Sequence, residues 1–71
     1  MDFPVYRKYT NNQSYFIITS ENSWIELKKV GSKYLKFEFI ANQFPEKLFI
    51  KDLLDLIEGV ESSSQTEIDL L

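Results

Sequence analysis

The side chains in this 71-residue chain that could do chemistry are carboxylates, tyrosines, seven lysines and Arg7; cysteine and histidine are both absent. Without cysteine there is no disulfide and no thiolate metal site. Without histidine the other common zinc ligand is missing as well. Acid–base catalysis would therefore fall to a carboxylate, a lysine or a tyrosine. The nearest approach to such a site is Glu26 and Glu38, which the strand pattern sets face to face, and paired carboxylates can share a proton. Both glutamates are read on a solvated face beside lysines, whereas an active site needs a concave pocket and perturbed groups. No catalytic residue, no metal and no cofactor is expected, so the chain reads as a non-enzyme.

A second constellation is basic and aromatic. Arg7, Lys8, Tyr9, Lys28, Lys29 and Lys36 are interleaved with Tyr6, Tyr15 and Tyr34, and "RKYTNNQSYF" concentrates the pattern in one stretch. A sheet surface of this kind holds single-stranded nucleic acid by stacking rings on bases and setting cations against phosphates. The competing reading is ordinary strand packing, in which aromatics are enriched anyway. Charge distribution favours the latter. Residues 1–36 carry six basic and three acidic side chains, and residues 37–71 carry two basic and eight acidic, for a net charge of −3. The acidic second half opposes a polyanion, because a protein's field sums over all its charges. No RNP-type run is present.

The elements that would position these residues follow from periodicity and turn signals. The first forty residues are rich in aromatic and β-branched side chains, with turn signals every 8–12 residues. Strands are predicted at about Val5–Thr10, Ser14–Thr19, Trp24–Val30 and Tyr34–Ala41. Asn11–Asn12 suits the positive φ of a tight hairpin, and Asn22 is a candidate for a left-handed conformation. Short connections make this a four-stranded antiparallel meander. In the last strand Leu35, Phe37 and Phe39 point one way and Tyr34, Lys36, Glu38 and Ile40 the other. A three-residue loop, Gly31–Lys33, sets Leu27 opposite Phe37 and Ile25 opposite Phe39. A two-residue loop sets Glu26 opposite Phe37, on the side read as buried, and the cost of burying a charge favours the longer loop.

Pro45 and Glu46 mark a helix start, and a helix is predicted at about Glu46–Glu58. Its apolar stripe is Ile50, Leu53, Leu54 and Ile57, flanked by Phe49 and Leu56, and Gly59 stops it. The alternative makes residues 47–50 a fifth short strand. Residues 1–60 then form one α+β domain, a meander with a C-terminal amphipathic helix packed on one face. Residues 61–71 form an acidic, flexible tail. Within that tail Ile68, Leu70 and Leu71 are read as folding back onto an apolar groove or onto a neighbouring chain. "LLDLI" at 53–57 resembles a clathrin-box peptide and "TEIDLL" an acidic dileucine signal; both are short patterns with a high chance rate.

One helix covers one sheet face. The other still carries Trp24 with Ile40 and Val30 with Tyr34, and strand 2 (Tyr15, Phe16, Ile17, Ile18) is apolar on both sides. The excess is explained by a sheet that curls on itself, by a homodimer interface, or by a different partner. A core this small supplies only about 3–5 kcal/mol, which favours association. The expected function is a protein-interaction module, self-associating through a sheet face or an edge strand, with Tyr6, Phe16, Ile18, Trp24, Tyr34 and Ile40 at the interface. Its partner is a second copy or another protein; nucleic acid binding is the alternative.

The stretches "KYTNNQSYFIITSENSWIEL", "VGSKY" and "ANQFPEKLFIKDLL" resemble a group of small bacterial proteins of unknown function. The shared features are Lys8–Tyr9, Asn11–Asn12, Ser14–Tyr15–Phe16, Gly31–Ser32–Lys33–Tyr34, Pro45–Glu46 and Ile50–Leu54, spanning about residues 6–54. The resemblance implies a compact small domain and brings no activity, ligand or catalytic residue. "MDFPVYRKY" lacks the basic and apolar regions of a signal peptide. The longest apolar runs fall far short of the roughly 20 residues of a membrane helix. A soluble, cytoplasmic protein is expected.

Overall fold

A computed structural model describes residues 2–71. In chain order the elements are β1 (Val5–Tyr9), β2 (Ser14–Ser20), β3 (Ser23–Val30), β4 (Lys33–Ile40), α1 (Phe44–Leu54), β5 (Val60–Ser62) and α2 (Gln65–Asp69). The strands form one antiparallel sheet in the order β4-β3-β2-β1-β5. The α+β class and the meander β1 to β4 agree with the sequence. The fifth strand, the second helix and the mid-chain position of α1 do not.

Turn chemistry sets the first hairpin. Asn12 has φ 60, and the Asn11 side chain accepts from the Gln13 N–H at 2.9 Å, an Asx turn that ties the loop to its own backbone. The β2–β3 turn works differently from expectation. Asn22 is not left-handed; its N–H donates instead to the Ser20 hydroxyl at 3.1 Å, and a shift of register between Ile18 and Ser20 absorbs the turn.

The β3–β4 hairpin corrects the predicted register. Val30 pairs with Lys33, so the loop is Gly31–Ser32 alone, and Gly31 has φ 63. That is the pattern of a two-residue hairpin with glycine first. Glu26 therefore stands opposite Phe37, Leu27 opposite Lys36 and Ile25 opposite Glu38. The physical reason lies in the helix. α1 lies over β1 and β2 and leaves Phe37 exposed, so Glu26 meets a half-open surface and accepts a hydrogen bond from the Ser14 hydroxyl at 2.9 Å. The charge is never stripped of water and partners together, which removes the penalty that favoured the longer loop. This register also avoids setting Glu26 against Glu38 and Lys28 against Lys36.

The register fixes which side chains share a face. Val5, Arg7, Phe16, Ile18, Trp24, Leu35, Phe37 and Phe39 lie on the α1 side. Tyr6, Lys8, Tyr15, Ile17, Ile25, Leu27, Tyr34 and Ile40 lie on the other. The core is Phe16, Ile18, Trp24, Ala41, Ile50, Leu53 and Val60. Phe16, Ile18, Ile50 and Leu53 have essentially no exposed surface, and burial of each stabilises by about 1.5–3 kcal/mol. Phe49 joins the layers, its ring 5.7 Å from that of Phe16 and 5.3 Å from that of Trp24.

Residues 47–50 are helical, which decides against the alternative fifth strand there. Glu46 begins α1 by accepting from the Gln43 N–H at 3.1 Å, as a capping-box glutamate does. The helix ends at Leu54, four residues before its expected limit. Leu56 then takes φ 55 and Gly59 φ 88, and the chain turns back to pair β5 with β1.

Candidate functional site

The two ends of the sheet are built differently. β5 is three residues long, whereas β4 is an edge strand of eight. In an antiparallel ladder, hydrogen-bonded and non-bonded pairs alternate. The Ala41 N–H donates to the Asn22 carbonyl at 2.6 Å. Counting back in steps of two, Phe39, Phe37, Leu35 and Lys33 direct their backbone groups at β3. The N–H and C=O groups of Tyr34, Lys36, Glu38 and Ile40 point outward, where no strand among the described residues receives them. Such a row is a ready template for another chain.

The side chains of β4 make this edge unusual. Leu35, Phe37 and Phe39 are 45%, 42% and 37% exposed on the α1 side. Phe39 is anchored by stacking on Trp24, centroids 4.8 Å apart. Beyond Ile40 the chain enters α1, whose outer residues Phe44 and Leu48 are exposed as well. On the opposite side Ile40 is exposed, and Lys36 and Glu38 form a solvent-facing ion pair at 3.4 Å. Natural edges are blunted by shortness, proline, bulges or inward charges. β4 has only Lys33, Lys36 and Glu38 to blunt it; Lys36 and Glu38 point away from the apolar row, and Lys33 stands on its face at the turn end.

The structure divides the six predicted interface residues. Phe16, Ile18 and Trp24 are buried beneath α1, because the observed register turns Trp24 and the interior of β2 toward the helix. Tyr6, Tyr34 and Ile40 are on the other face. The Tyr6 hydroxyl donates to Gln65 Oε1 at 2.5 Å and the Tyr34 hydroxyl to the Asn12 carbonyl at 3.3 Å. Only Ile40 is widely open. Leu35, Phe37 and Phe39 form the single apolar row that the alternation predicts, but they lie beyond the helix and not beneath it.

The basic–aromatic set is dispersed too. Arg7 is on the α1 side, where Nε donates to the Leu53 carbonyl at 2.9 Å and Nη1 to the Tyr6 carbonyl at 3.0 Å. Tyr9 packs edge-on against Phe16, and burial pushes its hydroxyl pKa up. Lys8 is taken by the last residues of the chain: its Nζ is 2.6 Å from Glu67 and 3.3 Å from Glu61. The hydrogen bond to Glu67 raises the Lys8 pKa, and the same bond lowers that of Glu67. Lys28 is on the α1 side, and Lys29 and Lys36 are on the other.

Residues 61–71, read from the sequence as a flexible tail outside the domain, supply α2 and, with Val60, β5. Ser63 and Ser64 organise the join. The Ser63 hydroxyl donates to Glu67 Oε1 at 2.6 Å, and the Glu67 N–H donates to the Ser64 hydroxyl at 3.1 Å. Ile68 is buried, whereas Leu70 is exposed. The described residues enclose no cavity and bring together no acidic cluster that could hold a metal ion. Among them no helix is long and apolar enough to cross a membrane. Comparison with protein-family models, with curated proteins and with solved structures finds no match to this chain.

Proposed function

We propose that the protein is a small non-enzymatic interaction module whose binding element is the open edge of β4, which takes up an extended segment by strand addition. The observation that carries this reading is the coincidence, on one eight-residue edge strand, of unpaired outward backbone groups and the half-exposed row Leu35, Phe37 and Phe39. Backbone bonds to an added strand give affinity, and alternate side chains give specificity. An exposed apolar row beside a charged face is where partners bind soluble domains.

The test is selection of extended peptides from a random library against the folded protein. Binders are expected to shift the amide resonances of Tyr34, Lys36, Glu38 and Ile40. Lys36→Pro removes one outward donor and no β3–β4 bond, and is expected to weaken such binders about tenfold. Binders that map to β5, or that tolerate Lys36→Pro unchanged, overturn the reading.

A further inference from the structure

We propose that the occupant of the β4 edge is β4 of a second copy, paired antiparallel about a two-fold axis through Phe37. The proposal rests on the reading of β4 as the binding element and adds the partner and the register.

Directly opposed residues of an antiparallel pair share a sheet face. A two-fold axis perpendicular to the sheet also keeps each side chain on its own face. The axis must therefore pass through a residue position, not between two. Three axes keep most of β4 overlapped: through Lys36, through Phe37 and through Glu38. The first sets two lysines directly opposite each other and the last two glutamates, and both arrangements are destabilising.

The axis through Phe37 removes the conflict. Each Lys36 meets Glu38 of the second copy, and these are outward-bonding positions, so the backbone groups pair where the charges do. Tyr34 meets Ile40 on the same face. On the α1 side Leu35 meets Phe39, and the two Phe37 rings meet at a non-bonded position, where side chains come closest. Every exposed residue of the apolar row thus gains an apolar partner. Lys36 and Glu38 already pair within one strand, and both side chains are more than half exposed, so they are free to exchange partners. The opposite edge, Val60–Ser62, is too short to repeat the contact, which closes the assembly at two copies.

Charge exchange tests the register by light scattering, with circular dichroism confirming that each variant is folded. Wild type is expected at twice the monomer mass. Lys36→Glu alone and Glu38→Lys alone each oppose like charges and are expected to be monomeric where wild type is dimeric. An equimolar mixture of the two, and the double exchange in one chain, are expected to be dimeric again. A dimer broken by Lys36→Pro but indifferent to both single exchanges overturns the register and leaves β4 as the binding element. A dimer indifferent to Lys36→Pro overturns both. A wild type that stays monomeric at its highest soluble concentration overturns the second copy as occupant.

Discussion

Arg7 Nε donates to the carbonyl of Leu53 at 2.9 Å, joining β1, the strand next to the β5 edge, to the last turn of α1. The guanidinium also reaches the Leu54 carbonyl at 3.4 Å. The final carbonyls of a helix lack partners within it, and a cation there answers the negative end of the helix dipole. Arg7→Met keeps most of the apolar stem and deletes these bonds. It is expected to cost about 1.5–3 kcal/mol, measured by urea unfolding. Arg7→Lys is expected to recover less than half, because an ammonium cannot reproduce the planar fork. Unchanged stability in Arg7→Met would show that the contact is incidental.

Trp24 is the hinge between the covered and the open parts of the sheet. It packs on Phe49 of α1 and stacks on Phe39 of β4, and its buried Nε1 has no acceptor among the described residues. An unmade bond of this kind costs about 1–3 kcal/mol. Trp24→Phe loses area but also removes the orphan donor, so its net effect is expected to stay within about 1 kcal/mol of wild type. Trp24→Ala is expected to cost about 3–5 kcal/mol, enough to unfold a core this small. Both are read from denaturant midpoints. A Trp24→Phe variant as damaged as Trp24→Ala contradicts the orphaned donor.

The C-terminal segment is held by charge, which gives it a pH dependence. Its hydrogen bond with Lys8 holds the Glu67 carboxyl below the ordinary 4.5. A carboxylate whose pKa is depressed by folding contributes stability that is present above its unfolded pKa and lost as pH falls through the folded one. The docking of α2 is therefore expected to be complete at pH 6 and to loosen below the ordinary carboxylate range, on the order of pH 4 and lower. As pH falls, protection of the Ile68 amide relative to its intrinsic exchange rate would be lost ahead of protection in β2. Glu67→Gln is expected to flatten this difference. Exchange at Ile68 that tracks β2 throughout would mean that α2 is not separately held.

Leu56 occupies φ 55 just after α1, where a side chain costs about 1–2 kcal/mol. Glycine relieves that strain but loses more freedom on folding. Leu56→Gly is expected to match or exceed wild-type stability by up to about 1 kcal/mol, whereas Leu56→Val is expected to lower it by at least that amount. Thermal unfolding of the two variants decides the sign.

Local signals account for what could be read before the structure. Alternation and turn residues placed the four long strands, Asn12 took its positive φ, and Pro45–Glu46 opened a helix within two residues of the predicted start. The β3–β4 register was missed because it depended on where α1 would lie, and the cost of Glu26 vanishes once α1 sits over β1 and β2 instead. α2 was missed although Ser64 and Glu67 have the spacing of a capping box. Its anchor, Lys8, lies 59 residues away, and that contact has no local signature. The same limit applies to the candidate site. Leu35, Phe37 and Phe39 stood out as an apolar row, but their exposure follows from β4 lying at the edge with the helix set over the other end of the sheet.

The claim on which the account turns is that the outer margin of β4 receives β4 of a second copy and is not merely an end of the sheet. Light scattering across a concentration series, run on wild type beside Lys36→Pro, tests it most directly. The account expects wild type to move from one chain mass toward two as concentration rises, while the proline variant, equally folded, stays at one. A wild type whose mass never rises, or a rise that the proline leaves untouched, would contradict it.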